Sequence, residues 1–158
     1  MSMLLDTVFV AAIEADEKLM EEIGGRYWSI ASAVPEDVFL ANTEIPYLIV
    51  NFDGFTSNTG TKDDPFDCGD DNVNMSITIS ANSSQQLGQL SARVRRAVHN
   101  YLIAHMGEPG IPYNTTPGGG SRQFDENGPS FWCDLTWLCN VEFDLNDNDD
   151  GKDSSSEI

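Results

Sequence analysis

The 158-residue sequence carries 26 Asp and Glu against 8 Lys and Arg, a formal charge of −18, with 40% hydrophobic residues. The apolar share supports one domain that buries about two-thirds of its unfolded surface. The acidity excludes nucleic acid as a general partner, because a phosphate backbone is held by Lys and Arg that release counterions, and it disfavours an anionic membrane surface for the same reason.

Residues 3 to 23 read as a first helix, with Leu4 or Leu5, Val8, Ala11, Ala12, Ala15 and Leu19 as its apolar stripe and Gly24-Gly25 as its stop. Its apolar start is interrupted by Asp6 and followed by acids, so neither a signal peptide nor a transmembrane run is expected. Tyr27, Trp28 and Ile30 suit a short strand, which Pro35 ends. Ile45 to Phe52 is a near-continuous apolar run of strand length, with Pro46 at its start or on an edge. Gly54 to Asn72, rich in Gly, Asp, Asn, Thr and Ser, reads as an exposed loop.

Val73 to Ser80 alternates apolar and small polar residues, the period of a half-buried strand. Ser83 with Gln86 then fits a capping box. From there Leu87, Leu90, Val94, Ala97, Val98, Tyr101, Leu102 and His105 share one helix side, until Gly107 and Pro109 stop it. Gly107 to Pro129, with Gly118-Gly119-Gly120 inside it, reads as a second long loop; loops of this length are usually functional or disordered. In the last strand Phe131, Cys133, Leu135, Trp137, Cys139, Val141 and Phe143 point one way, and the residues between them point the other.

After Leu145 the acidic, Ser-rich composition is that of a disordered tail, so the division is one domain over 1–145 and a tail over 146–158. The fold class is α+β: a mostly antiparallel sheet of about four strands with two helices packed on one face.

Candidate chemistry is sparse. Arg93, Arg95 and Arg96 hold three of the eight basic residues; Arg96 lies opposite the apolar stripe and Arg93 and Arg95 flank it. They offer either a basic rim for an acidic partner surface or a solvated helix face. Asn146, Asn148, Asp150, Gly151 and Glu157 fall at calcium-loop spacing, but Asn at the first position and no exiting helix favour a solvated tail. The acids from Asp63 to Asp71 show no ligand spacing. His105 suits a helix end better than a catalytic base, and His99 should be exposed. Cys68, Cys133 and Cys139 are odd in number without zinc-ligand spacing, as expected of free thiols in a reducing compartment, and the last two lie on a core-facing strand. The three glycines lack the strand and Lys of a phosphate loop, so flexibility is the expected purpose. Neither a cofactor, a metal nor an enzymatic constellation is expected.

An acidic-ended first helix closes on Gly24-Gly25, followed by Arg26-Tyr27, Ala33-Val34-Pro35-Glu36 and Ile45-Pro46-Tyr47-Leu48-Ile49-Val50. An acidic loop, a strand ending Ile77-Thr78-Ile79-Ser80, an Arg-bearing helix, a long polar loop and a final strand complete the layout. Over roughly residues 3 to 145 this resembles the tail completion proteins of tailed bacteriophages. The resemblance implies a phage or prophage tail terminator or neck component: a homo-oligomeric ring, commonly six-fold, that caps the tail tube and joins it to the head without chemistry. It would be made in the bacterial host cytoplasm and reside in the virion tail or neck. Arg93, Arg95, Arg96 and Arg122 would then be candidates for subunit or tube contacts. The acidic tail and the length of the Gly107–Pro129 loop are not part of the pattern. The alternatives are a soluble acidic module that recruits a basic protein or Ca²⁺, and an enzyme using a pocket near His105.

Overall fold

The computed structural model describes residues 4–29, 46–58, 69–125 and 130–143. Where the sequence suggests one first helix, there are two: α1 (Leu5–Glu14) and α2 (Glu17–Ile23). The break has a local cause. Asp16 takes an extended conformation and its carboxylate accepts from the Leu19 amide at 3.0 Å, capping a new helix. Gly24 (φ 62°) ends α2 in the left-handed region, and the Gly25 amide returns to the Met20 carbonyl. The buried stripe of α1 is Leu5, Phe9, Ala12 and Ile13, with Asp6 beside it, so Phe9 and Ile13, rather than Val8 and Ala11, anchor the helix.

The strands are β1 (Tyr27–Ser29), β2 (Tyr47–Asn58), β3 (Gly69–Ala81), β4 (Asn114–Pro117), β5 (Gln123–Asp125) and β6 (Ser130–Phe143). The long helix between β3 and β4 is α3 (Ser84–Ala104). The architecture is α+β, with three helices and a mixed sheet of six strands in the order β1-β2-β3-β6-β4, β5 pairing beside β4 on β6. This corrects the expectation of about four strands and two helices. The antiparallel character holds except for β1, which pairs parallel to β2 from Tyr27↔Leu48 to Ser29↔Val50.

The expected loop between the two central strands is shorter than its composition suggests. β2 and β3 stay paired out to Asn58↔Asp70, with a register shift between Phe52 and Gly54. Gly54 (φ 137°) supplies the conformation that lets the strand pass this irregularity. The second expected loop contains β4 and β5, two short pieces of edge strand on β6.

Cross-strand partners share a face, so Val73, Met75, Ile77 and Ile79 of β3 meet Cys139, Trp137, Leu135 and Cys133 of β6. All eight are buried beneath the helices. Phe9 meets Trp137 edge to face, with ring centroids 5.3 Å apart. Leu87, Leu90, Val94, Ala97, Val98 and Leu102 are the buried stripe of α3, in accord with the periodicity. Ser83 caps α3 by accepting from the Gln86 amide at 3.0 Å, while the Gln86 side chain accepts from the Asn82 amide at 2.7 Å.

The other sheet face mixes apolar residues such as Ile49, Trp132 and Leu138 with polar side chains bonded across strands. Asn51 donates to Ser76 and Thr78, and Thr78 donates to Asp134; Asn114, Asn140 and Asn72 form a second ladder across β4, β6 and β3. Ile30, the Ala33–Glu36 segment, the Asp63–Cys68 acids and thiol, and the 146–158 tail lie outside the described residues.

Candidate functional site

The four arginines do not form one patch. Arg93 and Arg95 flank the apolar stripe as the helical wheel requires, and the structure gives each flank a different neighbour. Arg93 Nε lies 3.3 Å from Glu22 Oε1, tying α3 to α2. Arg96 stands beside it at a shallow hollow with Gln89 and Ala92. Arg95 points to the other flank, into the space between α3 and the β4 edge. Arg122, on the link between β4 and β5, donates to Ser84 Oγ in the first turn of α3. At 1.5 Å per residue, Ser84 is about 14 Å along the helix from Arg93, so Arg122 sits at the start of α3, apart from the other three.

A groove of about 400 Å³ opens beside Arg95. Val98, His99, Leu102 and Ile103 form its helical wall. Pro112, Tyr113, Thr115 and Pro117 form its strand wall, and Trp137 contributes from the core. Its mouth is apolar and open: Ile103, Met106 and Tyr113 are each half exposed or more, at 55%, 56% and 50%. Exposed apolar side chains clustered in one concave place mark a contact surface more often than scattered single ones do. Tyr113 is held by a donated hydrogen bond to Asp70. That bond, then desolvation and the Asp70 charge, push the phenol above its ordinary value.

Sequence periodicity alone overlooks this site. Ile103 lies off the buried stripe of α3, Met106 lies past its end, and Tyr113 sits in what reads as loop; the available signal is that all three are large side chains outside that stripe.

A second hollow lies between the α1–α2 turn and the end of α3, with Asp16, Lys18, Tyr101 and His105 around it. His105 caps α3, its ring 4.2 Å from that of Tyr101 and its Nδ1 3.0 Å from Glu108 Oε2. Cys133 and Cys139 are free and buried, as expected. Burial pushes the Cys139 thiol up to about 11, against a smaller opposing effect from the Thr115 hydrogen bond.

The glycine run has a purpose other than the flexibility expected of it. A Cβ on Gly118 would lie 2.1 Å from Thr136 Oγ1, and one on Gly120 would lie 2.3 Å from the Asp134 carbonyl oxygen. These glycines let the link from β4 to β5 lie directly against β6. Among the described residues, no group of three or more His, Cys, Asp or Glu is placed to hold a metal ion, and no helix is long and apolar enough to cross a membrane.

No protein-family model and no curated protein matches the chain. Among solved structures, it is similar to a chain of the virion of a native gene transfer agent particle. The two share 14% identity with a TM-score of 0.59, over 87% of this chain and 94% of that one. At this identity the likeness is one of fold.

Proposed function

We propose that the protein is a phage or prophage structural component of the tail-terminator or neck class, which assembles into a ring that caps the tail tube and joins it to the head. The observation that carries this reading is the fold shared with a virion chain over nearly the whole length of both. The layout resemblance to tail completion proteins supports it independently of the structural likeness. A role in assembly also accords with a surface that carries an open apolar groove. In this reading the protein works without a cofactor or catalysis, and its partners are further copies of itself together with tail-tube and neck proteins.

The test is location. Particles produced by a host carrying the gene are purified and labelled with antibody against this chain. Label at the head–tail junction is the expected result. Particles that lack the chain, or carry it only on the capsid shell, contradict the terminator or neck role. The alternative, an acidic module for a basic protein or Ca²⁺, predicts instead calcium binding that is lost when residues 146–158 are removed.

A further inference from the structure

The ladder of β2 is interrupted at one exposed point. Phe52 pairs with Met75 and Gly54 with Asn74, so β3 passes over Asp53 between them. On the other side β1 reaches only Leu48 to Val50, and no further described strand lies along that side of β2. Asp53 thus has no cross-strand partner on either side among the described residues. Its side chain is exposed, and among those residues no hydrogen bond or ion pair holds its carboxylate. Gly54, which follows it, has φ 137° and open space where a Cβ would lie.

An aspartate before a glycine can be attacked by its own backbone. The attacking atom is the amide nitrogen of the next residue, and the ring that forms with the side-chain carboxyl has five members. A Cβ on the next residue would crowd that ring, and glycine has none. In a regular strand the extended backbone and the ladder hydrogen bonds keep this amide away from the carboxyl carbon. A bulge leaves one residue unpaired and disrupts the ladder locally, which removes that restraint at Asp53.

We infer that Asp53 is a site of spontaneous isoaspartate formation in the folded protein. The Gly54 nitrogen bonds to Asp53 Cγ; its proton and the carboxyl OH leave together as water, and a succinimide results. Water then adds to one of the two ring carbonyls. Breaking the bond from nitrogen to Cγ restores aspartate, whereas breaking the bond from nitrogen to the main-chain carbonyl carbon leaves the chain running through Cγ. Neither oxidant, reductant nor cofactor takes part. The product keeps its mass and charge but adds one methylene to the main chain within β2. The pairs from Gly54↔Asn74 to Asn58↔Asp70 then lose their spacing along β3, while those from Tyr47 to Phe52 keep theirs. The outer arm of the β2–β3 pair therefore ages separately from the half that carries the core. This chemistry is independent of the proposed assembly role.

The test incubates the full-length protein for several weeks at neutral pH, folded and in parallel in urea. Isoaspartate is read peptide by peptide, by methyl transfer from S-adenosylmethionine with an isoaspartyl methyltransferase and by electron-transfer fragmentation. Assignment to peptides matters because Asn127-Gly128 and Asp150-Gly151 can react in the same way. The Asp53-Gly54 peptide should accumulate isoaspartate in the folded protein at a rate within about tenfold of that in urea. Asp53→Glu keeps the charge but requires a six-membered ring, so it should abolish the signal in that peptide, with circular dichroism confirming the fold. Hydrogen exchange of the aged protein should quicken over 54–58 and stay unchanged over 47–52. A folded rate slower than that, or a signal that survives Asp53→Glu, would overturn the site. Exchange over 54–58 that stays unchanged once isoaspartate has formed would overturn the separate ageing of the arm.

Discussion

At the level of single residues, what decides is how closely each side chain is enclosed. Phe9 is fully buried against Trp137, so Phe9→Ala should destabilise the fold by about 3–5 kcal/mol, measured by urea unfolding. Gly120 is a different case, since its Cβ would overlap backbone rather than a movable side chain. Gly120→Ala should therefore cost about 1–3 kcal/mol by forcing the β4–β5 link off β6, whereas Gly119→Ala, with open space around it, should cost far less. Cys139 gives a pH signature. Its folded value, about 11, lies above the ordinary 9.0, so the folded state holds the proton longer than the unfolded one. Its contribution is present in full below pH 9 and is lost as pH rises towards 11, about 2–3 kcal/mol in all. Cys139→Ser should flatten that part of the stability profile. Tyr27, hydrogen-bonded to Glu14, and Tyr113 are raised too, so their contributions also fade at alkaline pH, starting above 10.

At the level of elements, the pattern was readable wherever burial is one-sided and local. The alternation from Phe131 to Val141 corresponds to the buried side of β6, and the Ser83–Gln86 pair marks the start of α3. Three features were hidden for identifiable reasons. The α1–α2 break rests on a single Asp16 cap inside an unbroken helical composition. The outer halves of β2 and β3 carry Gly54, Asp70 and Asp71, residues that avoid strands on propensity, yet the pairing of β2 with β3 and of β3 with β6 holds them there. The parallel pairing of β1 joins residues about twenty positions apart, and no periodicity records it. The site was legible only in part: the flanking positions of Arg93 and Arg95 followed from the wheel, while the groove depends on β4, which the sequence presents as loop. The caps allow a direct check. Ser83→Ala and Asp16→Ala should each lower stability by about 1 kcal/mol in chemical unfolding. Arg93→Ala, which loses only a partly exposed pair with Glu22, should lower it by less than about 1 kcal/mol.

At the level of the whole molecule, the sheet separates two kinds of surface. One face carries the helices, the arginines of α3 and the groove; on the other, Asn, Thr and Asp side chains bond across strands. The formal charge of −18 also makes copies of the chain repel one another. Salt should therefore promote assembly at first, by screening the overall negative charge, rather than dissolve it. The most direct measurement is light scattering after size exclusion, at low and physiological salt, with negative-stain imaging of the eluted species. The expected result is a monomer that becomes a closed ring as salt rises, with one mass and one diameter. A monomer at every salt and at high concentration would contradict it.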